Sequence, residues 1–195
     1  MTLHQSHNTQ LLEQLARLAK QLNENNITWA IGGSLLLSQY GIVKKVNDID
    51  VLVSEKDVGR TKTIIDTIGN EKEVQKYSPF RTSYFYKYTM NDVEVDLMSG
   101  FALEHESGVY ILSLTPNSIV TCTQINGVSI PLCTLEDWYI LYSLMPNKEE
   151  KELLLFRYLQ AHGISSKQLL IEACRQPLPD RVRGNVKQLL KSVNP

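Results

Sequence analysis

The sequence predicts an α/β (α+β) fold, a mixed β-sheet flanked by helices and followed by a C-terminal helical part. Three observations lead there. Leu11, Leu15, Leu18 and Leu22 recur at the spacing of one helix face. Between Thr28 and Pro131 the apolar runs are short and rich in β-branched and aromatic residues, as strands require. From Thr134 the apolar period turns helical again, punctuated by proline and glycine.

Taken in order, the leucine stripe gives an amphipathic helix ending near Asn23–Asn26. Thr28–Ile31 reads as a short buried strand. Gly32-Gly33 makes a tight turn, and Ser34 is placed to cap a helix running to about Tyr40. Asp48–Val53 is a second strand, and Lys56–Ile68 a helix closed by Gly69. Arg81–Thr89 and Val93–Met98 flank Met90-Asn-Asp92 as a hairpin. Val109–Leu112 and Ser118–Thr121 are further short strands. Asn126-Gly127, within Gln124–Pro131, marks a hairpin with a type I′ turn.

Thr134-Leu-Glu-Asp137 resembles a capping box and opens a helix with Leu135, Trp138, Leu141, Tyr142 and Met145 on one face. Lys148–Ala161, Ser165–Cys174 and Asp180–Val193 follow as helices, with Pro177 and Pro179 between the last two. The expected division is residues 1–132, an α/β core with its N-terminal helix, and residues 133–195, a helical subdomain.

Bulk properties narrow the field. A chain of 195 residues can bury one sizeable core. Its net charge of −1, with no basic run longer than two, lacks the footprint of a long nucleic-acid partner. Cys122, Cys133 and Cys174 are too few and scattered for a disulfide framework, and read as small buried hydrophobes in a reducing cytosol. No apolar signal core or membrane-length segment is visible, so a soluble cytoplasmic protein is expected.

The chemistry concentrates in Trp29–Ser34 and Asn47–Val53. Alternation along a strand puts Asp48 and Asp50 on one face, with Ile49, Val51 and Val53 on the other. Adjacent carboxylates repel unless a positive charge sits between them. A divalent metal carrying a phosphate chain answers that need, because hard cations take oxygen ligands. Glycines let backbone amides approach phosphate oxygens closely. The pattern is that of a phosphoryl- or nucleotidyl-transfer site.

Gly32-Gly-Ser34, thirteen intervening residues, then Asp48-Ile-Asp50 resembles the signature of the polymerase-β-like nucleotidyltransferase superfamily. More narrowly it is similar to the small bacterial nucleotidyltransferases that include antibiotic-modifying and toxin–antitoxin members. The signature covers about residues 29–53, and Val93–Leu97 extends it. The resemblance implies that the Gly33 backbone and the Ser34 hydroxyl hold a nucleoside triphosphate, with Gly32 shaping the turn. It further implies that Asp48 and Asp50 bind magnesium, two ions in all, with a third carboxylate from a neighbouring strand.

For that third carboxylate, Asp92, Glu94 and Asp96 fall on one strand face, which a solvated sheet edge would also suit. Asp96, followed by Leu97 and Met98, fits the family pattern better than Asp92, which lies in the turn, and strand alternation puts it ahead of Glu94. Lys44 and Lys45 precede the aspartates; Lys45 is the candidate phosphate contact, although a solvated loop explains both. Tyr84, Tyr86 and Tyr88 share a strand face and suit either base stacking or packing against a helix. His105 lacks metal-ligand spacing to the other histidines. Glu136 and Asp137 are explained as helix N-terminal charges. Lys151 and Arg157 lie on a helix able to close over a nucleotide, or are simply solvated.

Three functions follow from the resemblance. The first is an enzyme that moves a nucleoside monophosphate onto a small-molecule hydroxyl. The second is a toxin-like or regulatory enzyme acting on a protein or a tRNA end, against which the near-neutral charge counts. The third is a nucleotide-binding module without chemistry. A homodimer is compatible with each.

Overall fold

The computed structural model of the chain describes residues 3–75 and 78–192. In chain order the elements are α1 (Leu3–Glu24), β1 (Trp29–Ile31), α2 (Gly33–Gln39), β2 (Asp48–Val53), α3 (Val58–Ile65), β3 (Asn70–Lys72), β4 (Tyr84–Met90) and β5 (Val93–Ser99). They continue as β6 (Phe101–His105), β7 (Gly108–Leu112), β8 (Ile119–Ile125), β9 (Val128–Cys133), α4 (Leu135–Leu144), α5 (Glu149–His162), α6 (Lys167–Ala173) and α7 (Asp180–Ser192). No helix among the described residues is long and apolar enough to cross a membrane.

The chain divides into two compact units. One holds the residues up to Gln75 together with Ser83–Gly100 and Ser113–Cys133. Its sheet has seven strands in the order β3-β4-β5-β2-β1-β9-β8. β2 pairs antiparallel with β1 and parallel with β5, while β1 and β9 are joined in parallel at Ile31 and Leu132. Strand alternation sorts the two faces. Ile49, Val51, Val95 and Leu97 are fully buried, as are Leu15, Leu18 and Leu22 on α1, which packs on this sheet. The opposite face carries the acidic residues of β2 and β5.

Local chemistry fixes the strand ends. Asn91 and Asp92 both take positive φ, 45° and 63°, and close the expected β4–β5 hairpin as a two-residue turn, with Met90 the last residue of β4 rather than part of the turn. Asn126 and Gly127, at 51° and 76°, do the same between β8 and β9. Asp57, 5% exposed, accepts hydrogen bonds from the Thr28 amide (3.0 Å) and the Ser54 hydroxyl (2.7 Å), which ties the start of β1 to the end of β2.

Several element expectations change. The predicted Lys56–Ile68 helix is a 3₁₀ turn at Glu55–Asp57 followed by α3, which stops at Ile65. Ser34 lies inside the first turn of α2, and Gly32 is the capping residue, with no side-chain cap. β3 and β6 are additional strands; β3 is all polar and exposed along its length, so no apolar alternation announces it. β5 is a central strand rather than an edge. Cys133 is buried as expected, but Cys122 is exposed on β8. Val193 lies outside the described residues.

The second unit comprises, of the described residues, 78–82, Phe101–Leu112 and 134–192. Its two-stranded sheet is the β6–β7 hairpin. α4 is buried on all sides, from Leu135 through Ser143. The Thr134 side chain accepts from the Asp137 amide at 3.2 Å, a true N-cap. Glu136, 1% exposed, accepts from the amides of Ser165 (2.5 Å) and Ser166 (3.1 Å) at the entry to α6. Its role is therefore more than a dipole-favoured charge. Gly163 ends α5 with φ of +90°, a conformation that favours glycine.

Candidate active site

The pairing of β2 with β5 assembles the acidic face. Asp48 lies opposite Glu94 and Asp50 opposite Asp96. Directly paired residues of a parallel ladder project from the same face, so all four carboxylates stand on one side of the sheet. Asp48, Asp50 and Asp96 are half-buried, whereas Glu94 is exposed.

The turn after β1 meets this face at Asp50. The Gly32 amide donates to the Asp50 carbonyl at 2.9 Å. Gly33 has φ of +60°, and a β-carbon there would lie 1.7 Å from Oδ2 of Asp50. A side chain at 33 is thus excluded twice, by backbone conformation and by the carboxylate. Ser34 follows directly, 7% exposed.

β4 adds a residue that the sequence reading overlooked. Lys87 pairs across the ladder with Asp96, and its Nζ is 2.9 Å from Oδ1 of Asp96. It is the only basic residue in β1, β2, β4 and β5. Burial lowers the Lys87 pKa, but the hydrogen bond and charge of Asp96, with smaller contributions from Glu94 and Asp48, raise it overall. Burial is the largest influence on Asp96 and pushes its carboxyl up; Lys87 opposes that, and the charges of Asp48 and Glu94 add to it. Glu94 is held low by Lys72 of β3, whose Nζ is 2.8 Å away. Alternation along β4 and the two-residue turn at Asn91–Asp92 together place Lys87 opposite Asp96, so the signal was present in the sequence.

The remaining candidates separate. Lys44 and Lys45 are exposed in the loop before β2. Tyr88 is fully buried, and its hydroxyl donates to Asp66 (2.7 Å) beside Lys62 of α3, the helix-packing role. Tyr86 lies under the Lys62 ammonium, while Tyr84 is 42% exposed. His105 ends β6 and contacts the Pro177 carbonyl at 3.2 Å. Lys151 sits over the Tyr142 ring and Arg157 is exposed, both on α5 of the second unit.

As the side chains stand, no three histidine, cysteine, aspartate or glutamate groups among the described residues are gathered into a metal cage. Neighbouring strands are about 4.8 Å apart, so the register sets Asp50 and Asp96 side by side on one face. The donor set fits magnesium: it is all oxygen and mutually repulsive, and the missing side chain at Gly33 lets the Asp50 carboxylate pack directly against the glycine turn.

The sequence matches the family described as "uncharacterised nucleotidyltransferase" over residues 2–144. No curated protein matches significantly. Among solved structures, one assigned as a nucleotidyltransferase from Thermotoga maritima is similar, with a TM-score of 0.60 and 20% identity over 79% of this chain and 95% of that one. ANT(2")-Ia in complex with adenylyl-2"-tobramycin gives a TM-score of 0.53 and 15% identity over 92% and 97%. The solution structure of the same antibiotic-resistance factor gives 0.51 and 20% over 80% and 86%. At these identities the structures establish a shared fold. With the family match spanning most of its length, the chain belongs to this nucleotidyltransferase family and is an enzyme of that type.

Proposed function

We propose that this enzyme transfers a nucleoside monophosphate from a nucleoside triphosphate to a hydroxyl group of a small molecule, releasing pyrophosphate, with magnesium required. The observation that carries the reading is the in-register set Asp48, Asp50 and Asp96 on one sheet face, beside a glycine turn closed against Asp50. In this reading Asp48, Asp50 and Asp96 hold the metal. The turn at Gly32 and Gly33 and the Ser34 hydroxyl hold the triphosphate, and Lys45 in the exposed loop approaches it from solvent. Bound magnesium would supply Lewis-acid activation of the acceptor hydroxyl and neutralise charge on the departing pyrophosphate.

The protein's own work is then orientation. In this reading Asp96 also orients the attacking hydroxyl and accepts its proton. Reactants held in line gain most of the rate by proximity. A small acceptor is favoured by the net charge of −1, since a nucleic-acid acceptor asks for a basic surface. The neighbour solved with adenylyl-2"-tobramycin offers a precedent on this fold.

Two measurements test the proposal. Magnesium with a nucleoside triphosphate at a hundredfold its dissociation constant stabilises the protein by about 2.7 kcal/mol, roughly 5–10 °C in melting temperature, and more than either alone. Each labelled triphosphate, incubated with magnesium and a small-molecule extract, should mark a low-mass product. No thermal shift with any of the four common triphosphates would count against the site. Label found only on protein or RNA would reassign the acceptor.

A further inference from the structure

Lys87 occupies a peculiar position. It is the sole cation on four strands whose shared face presents four carboxylates. Its ammonium is 2.9 Å from Asp96, and its side chain is about one-third exposed while that of Asp96 is 15% exposed. Glu94, the neighbouring carboxylate on β5, already has its own partner in Lys72 at 2.8 Å. Lys87 is therefore committed to Asp96, the residue that the functional reading makes the third metal ligand.

We propose that Lys87 is an internal counter-ion of the metal site: its ammonium neutralises Asp96 before a divalent ion binds, and must leave Asp96 for that carboxylate to join Asp48 and Asp50 as a ligand. The inference rests on the metal-site reading given under Proposed function. A divalent ion and an ammonium cannot share the same buried oxygen without strong mutual repulsion. Lysine suits the part, because its charge rides on a flexible four-carbon stem that can swing aside. The Phe85 ring, 5.8 Å from Nζ, gives the ammonium a second surface on the same strand face. Lys87 is thus a positioning residue: it restrains entry of the metal to Asp96.

The test is Mn²⁺ binding to the nucleotide-free protein, followed by electron paramagnetic resonance, for wild type, Lys87→Met, Lys87→Arg, Asp96→Asn and the Lys87→Met/Asp96→Asn double variant. Lys87→Met should bind Mn²⁺ about tenfold more tightly than wild type, the change expected when a competing charge–charge contact of about 1.4 kcal/mol is removed. Lys87→Arg, which keeps the charge, should bind like wild type. In the Asp96→Asn background the Lys87→Met change should have no further effect, which closes the cycle on this one pair. A lysine that only braces the sheet would move the melting temperature and leave Mn²⁺ affinity alone. Equal or weaker binding by Lys87→Met overturns the inference, and so does a tightening that survives Asp96→Asn. Asp48→Asn separates the two levels of the argument. If Mn²⁺ binding depends on Asp48 but ignores Lys87, only the counter-ion role fails. If no variant binds Mn²⁺, the metal site fails and takes the inference with it.

Discussion

A β-carbon added to Gly33 would lie 1.7 Å from Oδ2 of Asp50, so the glycine and the carboxylate together forbid any larger residue at position 33. Gly33→Ala should lose about 1–3 kcal/mol of stability, from the left-handed backbone and the displaced carboxylate. Turnover should fall at least about a hundredfold, the usual result of moving a site by an ångström. Gly41→Ala is the control. Gly41 has φ of +69° and open space around it, so it carries the strain without the collision. It should cost only about 1 kcal/mol and retain activity. Melting curves and nucleotide transfer, measured on both, check the contrast.

Asp48 and Asp50 set function against stability. If they serve a metal, Asp48→Asn and Asp50→Asn should melt at or above the wild-type temperature in chelator, because a repulsion is relieved. Labelling activity should nevertheless drop by about a hundredfold to a thousandfold. Melting below wild type with activity retained would show them to be structural ion-pair residues.

Asp96 and Glu94 divide sharply by environment. Glu94 and Lys72 are each about half exposed, so Glu94→Gln should cost about 0–1 kcal/mol and leave turnover nearly intact. Asp96→Asn should bind nucleotide almost normally and lose turnover. The reverse result would exchange the two roles and shift the site by one ladder position.

Asp57, with Asp66 and Glu94, should contribute to the acid limb of stability, and it is the most buried of the three. Burial raises its pKa, but hydrogen bonds from Ser54 and the Thr28 amide outweigh burial and hold the carboxyl below its ordinary 3.8. A depressed folded pKa gives stability that is present above the unfolded value and lost as pH falls through the folded one. Melting temperature should therefore fall below about pH 3.8. Asp57→Ala should lose about 2–3 kcal/mol at neutral pH, since two donors are left without their acceptor, and should show a shallower acid limb. Asp96, shifted upward, works in the opposite sense, and its protonation partly offsets the loss.

Much of this was legible in the sequence because the signals were local. Asp48–Val53 alternates cleanly and is a strand with those bounds. Asn126-Gly127 and Asn91-Asp92 close hairpins because few other residues tolerate two successive positive φ values. Thr134 caps its helix through the three-residue reach that defines an N-cap. What stayed hidden was set by partners distant in sequence. β3 is Asn-Glu-Lys, strand only because β4 offers its edge. The family resemblance gave a third carboxylate on a neighbouring strand, but not that the strand runs parallel to β2, which is what puts Asp96 level with Asp50. Lys87 is hidden for a different reason: it sits alone between tyrosines that face the other way, and only the β4–β5 register pairs it with Asp96.

The parallel contact between Ile31 and Leu132 has a consequence for how the chain reaches its fold. β1 is three residues long and entirely buried, and it is flanked by β2 on one side and by β9, about a hundred residues later, on the other. During synthesis β2 and β5, which carry the candidate metal ligands, are made early, while the strand that seals β1 emerges near the end of this unit. Until then an apolar backbone edge lies open to other chains. Closing such a long loop is slow, because its entropy is lost before the contact returns anything. A nascent or truncated chain that carries every candidate catalytic residue but stops short of β9 is for that reason expected to be prone to association through the open β1 edge.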